Sequence, residues 1–256
     1  MFGWYRFVRD SFRTILGVRF YIAELDGLLE LANDGGLVVF PSAPVMVRLA
    51  EDPAHRDALE HADFAVTDSA YMVLLWLLRT GERVRRISGL RFLRGFFGRA
   101  AFKGAGESFW IMPSLHDAEA NLNWLRGRGF EVTADDCYVA PMYSRQGPLL
   151  DEALLERVAA RRPKVIFVAL SGGVQERLGW FLRQRLGYKP LILCIGGAIA
   201  FLTGQQTRIP VWADRLGLGW LLRFISAPRS FAAKVRGVGR LAPMIWRCGA
   251  RSVASK

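Results

Sequence analysis

The chain has 256 residues, 52% of them hydrophobic and 23% charged, with a formal net charge of +12. That length suits one large domain or two small ones, and the apolar content excludes a disordered chain. The longest wholly apolar run, Ala70 to Leu78, is less than half the roughly 20 residues that a bilayer-crossing helix needs, so no membrane span is expected.

At the start of the chain, Arg6, Arg9, Arg13 and Arg19 alternate with Phe2, Trp4, Tyr5, Phe7, Phe12, Ile15 and Leu16. The uninterrupted apolar stretch of a secretory signal is missing, so export is not expected. The segment reads as amphipathic, either resting on a membrane surface or docking as a helix on the core. Further on, residues 37–40, 64–67, 109–112, 130–133, 165–170 and 191–195 are short β-branched or aromatic runs that read as strands. Helical patterns lie between them at 45–49, 70–78, 115–126, 149–161 and 174–185. Strands apolar on both faces, alternating with helices, indicate an α/β fold with a mostly parallel sheet covered on both sides.

Charge is concentrated in two places. Residues 205–256 carry ten Lys or Arg and one acid, Asp214, and residues 79–103 carry eight basic residues against Glu82. A body of residues 1–204 and a basic appendage of residues 205–256 are therefore expected. Such stretches call for anionic company: nucleic acid, an anionic membrane surface or a phosphorylated substrate. The appendage interleaves its arginines with Trp212, Trp220 and Trp246, which suits a membrane interface better than a disordered nucleic-acid tail. Cys137, Cys194 and Cys248 are too few and too far apart for a disulfide framework or a zinc site, and a reducing cytoplasm fits best.

In open parallel sheets, ligands collect beyond the carboxyl ends of the strands. Three such positions carry candidate chemistry: Asp68 after residues 64–67, Ser171-Gly172-Gly173 with Gln175-Glu176 after 165–170, and Gly196-Gly197 after 191–195. Each glycine pair is either a plain tight turn or a set of N–H groups aimed at phosphate oxygens. Asp68 is either a helix N-cap or a general base held at a strand end. Gly104-Ala105-Gly106 precedes its strand and lacks a third glycine in register, so no dinucleotide cofactor is expected. His55, His61 and His116 have no metal-ligand spacing. They are expected at exposed helix positions, without chemistry, and no metal is expected.

The order of these features resembles the WecG/TagA/CpsF bacterial glycosyltransferases over about residues 20 to 231. The matching segments are Val66-Thr67-Asp68-Ser69, Arg86-Ile87-Ser88-Gly89, the run Ser171 to Glu176 and Ile195-Gly196-Gly197. They continue with Phe201 to Gly204, Arg208 to Trp212, Gly217 to Arg223 and Ala227-Pro228-Arg229. The resemblance implies a Rossmann-like body whose basic helical appendage seats it on the inner face of the cytoplasmic membrane. It also implies transfer of an N-acetylmannosamine-type or related sugar from a UDP-sugar donor to a polyprenyl-diphosphate-linked acceptor in cell-surface polysaccharide biosynthesis, inverting and metal-independent. Asp68 takes the place of the family's proposed base. Arg86, Gln175, Arg208, Arg223 and Arg229 take the donor or phosphate contacts, and Ser42, Gly172, Gly173, Glu176, Gly196 and Gly197 complete the substrate-binding set. Nucleic acid is not an expected partner, and a homo-oligomer is compatible with the sequence. The chain departs from the family at Phe40-Pro41-Ser42, Ser69, Gly173-Val174, Ala200, Gly219 and Ala227. A second reading therefore stays beside the first: a catalytically degenerate member that binds nucleotide sugar or lipid diphosphate as a partner in polysaccharide assembly.

Overall fold

The computed structural model describes residues 11–99, 102–206, 210, 213, 225 and 236–254. In chain order the strands are β1 (Phe12–Ile15), β2 (Val18–Tyr21), β3 (Gly36–Val39), β4 (Phe64–Val66), β5 (Ser108–Met112), β6 (Cys137–Val139), β7 (Val165–Val168) and β8 (Leu191–Cys194). The helices are α1 (Leu25–Ala32), α2 (Ala43–Val47), α3 (Pro53–Glu60), α4 (Ala70–Thr80), α5 (Gly89–Gly98), α6 (Leu115–Arg126), α7 (Glu152–Arg161), α8 (Val174–Arg185), α9 (Ala200–Thr203) and α10 (Leu241–Cys248). All eight strands form one sheet in the order β1-β2-β4-β3-β8-β7-β5-β6. Only the β1–β2 pair is antiparallel, so the fold is α/β as the alternation implies.

The twofold period of the strands divides the interior. Leu37, Val39, Ile166, Val168, Ile192 and Cys194 point to one face, where α2, α3, α4, α7, α8 and α10 cover them. Val38, Val165, Phe167, Leu191 and Leu193 point to the other, beneath α1, α5 and α6. The second face is aromatic at its centre, with Trp110 and Phe167 stacked at 3.8 Å between ring centroids. Helix α10 belongs to the first face: Leu241 and Ile245 are fully buried, and the backbone N–H groups of Leu16 and Gly17 donate to Gly249 and Ala250.

Two expectations are corrected. Residues 130–133 are not a strand, although Phe130 and Val132 are buried as their alternation implies. The chain first makes a 3-10 turn at Ala134–Asp136, where the Asp136 carboxylate accepts from the N–H and hydroxyl of Thr133. Pairing with β5 then begins at Cys137. Residues 12–21 are a β-hairpin rather than a helix. Leu16 and Gly17 have φ of +54° and +84°, as a two-residue primed turn requires.

Helix α8 lies close to the sheet because Gly179 faces β3 and β8: a Cβ placed there would fall 2.7 Å from Leu37 Cδ1 and 2.8 Å from Cys194 Sγ. Gly179→Val is expected to overpack this contact and destabilise the fold by about 2–3 kcal/mol. Urea unfolding would show this as a lower midpoint with an unchanged slope.

Candidate functional site

The carboxyl ends of β4, β3, β8 and β7 are neighbours in the sheet, and the positions chosen from the sequence lie just beyond them. Asp68 follows β4, Ser42 follows β3, Gly196 and Gly197 follow β8, and Gly172 and Gly173 follow β7. Gly89 links the first three ends: a Cβ built on it would lie 3.7 Å from both the Phe40 ring and Ala198 Cβ.

Asp68 is not the cap of the helix that follows it. Ser69 takes that place, its hydroxyl accepting from Met72 N–H at 3.2 Å. Ser88 caps α5 in the same way, accepting from Arg91 N–H at 3.0 Å. The half-buried Asp68 carboxylate instead accepts from Gly89 N–H at 3.1 Å. The Arg86 guanidinium donates through Nε to the Asp68 carbonyl at 2.7 Å. Thr67 secures this loop to the end of β4: its hydroxyl donates to the Arg85 carbonyl, and its carbonyl accepts from Ile87 N–H. A carboxylate and a guanidinium are thus held next to each other at one strand end. Across the sheet, half-buried Ser42 precedes α2, and its hydroxyl makes no capping bond.

The two glycine turns are joined from below. Gln175 and Glu176 are 4% and 0% exposed. The Gln175 amide accepts from Gly196 N–H at 2.6 Å and donates to Glu176 Oε1 at 3.0 Å. Glu176 Oε2 accepts from Gly173 N–H at 2.5 Å. Of the glycine N–H groups considered for phosphate, those of Gly173 and Gly196 are therefore satisfied within the protein. Gly173 has φ of +90°, which favours glycine, and a Cβ there would meet Arg48 Nη1 at 2.1 Å, so the arginine would have to move. Arg48 donates to the Gly172 carbonyl at 2.8 Å. Buried Arg177 donates to the carbonyls of Gly173, Ser144 and Gly147.

Sequence reasoning missed Arg48, Arg177 and Asp52. Asp52 caps α3, accepting from Ala54 and His55 N–H groups, with Arg177 3.8 Å away. An Asp directly before Pro53 is a legible helix start, but nothing local ties it to a residue 125 positions later. His55 also departs from expectation. His61 and His116 are exposed, whereas His55 is fully buried under α2, its Nε2 3.1 Å from the Val45 carbonyl. Arg208, Arg223 and Arg229 lie outside the described residues.

A family model described as glycosyl transferase WecG/TagA/CpsF family matches residues 13–255. A protein of Bacillus subtilis (strain 168) named N-acetylglucosaminyldiphosphoundecaprenol N-acetyl-beta-D-mannosaminyltransferase is 24% identical over 195 residues. The alignment covers 76% of this chain and 73% of that protein.

Burial lowers the His55 pKa from its usual 6.5, against the opposing pull of Glu176. The unfolded chain therefore binds a proton that the folded chain does not. The resulting stability is complete above about pH 6.5 and declines as the pH falls below it. Urea midpoints measured from pH 7 to pH 5 are expected to fall more steeply for the wild type than for His55→Gln.

Proposed function

The chain belongs to the WecG/TagA/CpsF family of glycosyltransferases, and from that membership we propose that it transfers an N-acetylmannosamine-type or related hexose from a UDP-sugar to a polyprenyl-diphosphate-linked acceptor in cell-surface polysaccharide biosynthesis. The observation that carries the reading is the Asp68 carboxylate at the end of β4, half-exposed, bonded to Gly89 N–H and set beside Arg86. The Bacillus subtilis relative's name supplies the acceptor class and the sugar.

In the proposed step Asp68 removes the proton from the acceptor hydroxyl. The oxygen attacks the anomeric carbon from the face opposite the nucleotide, and the bond from that carbon to the diphosphate oxygen breaks with inversion. UDP leaves with the bonding electron pair. General-base assistance of this kind contributes about 10²–10⁴-fold. Planar guanidinium groups suit the departing diphosphate because each can make two-point contacts with phosphate oxygens. We assign Arg86, which lies beside Asp68, to this contact, and Arg208, Arg223 and Arg229 to it from the sequence. The Gly172–Gly173 and Gly196–Gly197 turns form the floor of the donor site, held at fixed separation by Gln175 and Glu176.

We place this reaction at the inner face of the cytoplasmic membrane, where the lipid-linked acceptor is reached. Among the described residues no helix is long and apolar enough to cross a bilayer.

Asp68→Asn preserves size and the bond from Gly89 N–H while removing the base. It is expected to lower turnover by about 10²–10⁴-fold and to leave UDP binding intact, since Asp68 is not among the groups assigned to the diphosphate. Calorimetric UDP binding and release of UDP from a panel of UDP-sugars with a lipid acceptor measure the two effects. UDP binding by the wild type without turnover on any donor would assign the chain to a binding role in polysaccharide assembly.

A further inference from the structure

Helix α4 is apolar around almost its whole circumference: Ala70, Tyr71, Met72, Val73, Leu74, Leu75, Trp76, Leu77 and Leu78 follow one another without a polar residue. A helix of that composition ordinarily lies inside a core, but α4 lies at the surface. Met72, Leu75 and Trp76 are buried, whereas Tyr71, Leu74 and Leu78 are 36%, 50% and 64% exposed. The last three occur at i, i+3 and i+7, which places them in one stripe. Helix α10 packs beside α4 and adds Trp246, 49% exposed. Exposed apolar side chains of this kind on two helices that pack together mark a contact surface.

The charges around it identify the partner. Arg79 and Arg83 follow the stripe, and Arg247 and Arg251 follow Trp246; all four are exposed. Among the described residues none of the four has a carboxylate within ion-pair distance. Leucines and an interfacial tryptophan next to uncompensated arginines suit a surface with an apolar interior and anionic headgroups. Arginine stems lie along the apolar boundary while their guanidinium groups reach phosphate. A second protein copy would have to bring acidic groups of its own to meet the same arginines.

We infer that the outward face of α4, with Trp246 of α10, is the surface by which this protein lies on an anionic phospholipid bilayer. The inference rests on the acceptor reading above for its meaning and goes beyond it in assigning the apolar contact to α4, a part of the body, rather than to the basic appendage alone. It also sets an orientation. Tyr71 is three residues from Asp68, so the stripe starts at the strand end that carries the proposed base. Docking by this face brings the site to the headgroup level, where a lipid-linked diphosphate lies.

The test uses the full-length chain and flotation with two kinds of vesicle, pure phosphatidylcholine and equimolar phosphatidylcholine–phosphatidylglycerol. The wild type is expected to float with the anionic vesicles and to be released by high salt. Leu74→Glu/Leu78→Glu is expected to bind them at least about tenfold more weakly, with unchanged thermal unfolding and unchanged UDP binding. Leu74→Ser/Leu78→Ser, which adds no negative charge, is expected to show an intermediate loss. Wild-type flotation by both variants would overturn the assignment. So would a lipid-independent dimer, seen by sedimentation, that the variants abolish, because the stripe would then belong to a second copy. Flotation and UDP binding need no turnover, so a chain that transfers no sugar but loses flotation in these variants would defeat the enzymatic reading and leave the surface standing.

Discussion

Side by side beneath the two glycine turns, the Gln175 amide and the Glu176 carboxylate set where both turns sit. One end of the amide holds Gly196 at the end of β8, and the carboxylate holds Gly173 at the end of β7. Hydrogen bonds to a charged group contribute about 1.5–3 kcal/mol each, and a buried carboxylate left without them would be strongly destabilising. The arrangement is therefore all or nothing. It is built where the chain at residue 173 enters the left-handed region beside Arg48, a position that favours glycine.

A second layer of arginines holds this pair in place. Arg48 from the end of α2 and Arg177 from α8 both donate to carbonyls of the Gly172–Gly173 turn, and Arg177 reaches on to the 144–147 segment. A planar guanidinium needs partners in fixed directions, so the elements that supply them are tied together. His55 and Asp52 fill the space between α2 and α3 on the same side. The turn beyond β7 is thus held by arginines from two elements, whereas the Asp68 end is held by the Thr67 bonds, by Arg86 on the Asp68 carbonyl and by Gly89 N–H on its carboxylate. At this latter end Ser69 and Ser88 cap the two helices, and the Asp68 carboxylate accepts from Gly89 N–H.

The strands of the sheet centre were legible in the sequence because burial on both faces leaves no polar alternation: residues 37–40, 64–67, 165–170 and 191–195 contain β3, β4, β7 and β8 almost whole. Edge elements were harder to read. Phe130 and Val132 have strand-like alternation and strand-like burial, but only the reach to β5 decides where pairing starts, and that distance is not local information. The β1–β2 hairpin was obscured by its arginines and aromatics, which fit an amphipathic helix as well as an edge ribbon, although Gly17 between alternating residues was a usable turn signal. His55 looked exposed because its helix, Pro53–Glu60, is polar on average; its burial follows from α2 packing across it.

By itself the sequence determined the α/β alternation, the polar and glycine-rich turns beyond the strand ends, and the basic and aromatic character of the late segment. These depend on period, turn residues and composition, all of which are local. Only the tertiary structure decided that Ser69 rather than Asp68 caps α4, that Gln175 and Glu176 are buried struts, that Arg48 and Arg177 meet at one turn, and that α4 leaves its leucines outside. The cap apart, each of these is a contact between residues far apart in the chain, or the lack of one, and depends on which helix the sheet finally places over which strand.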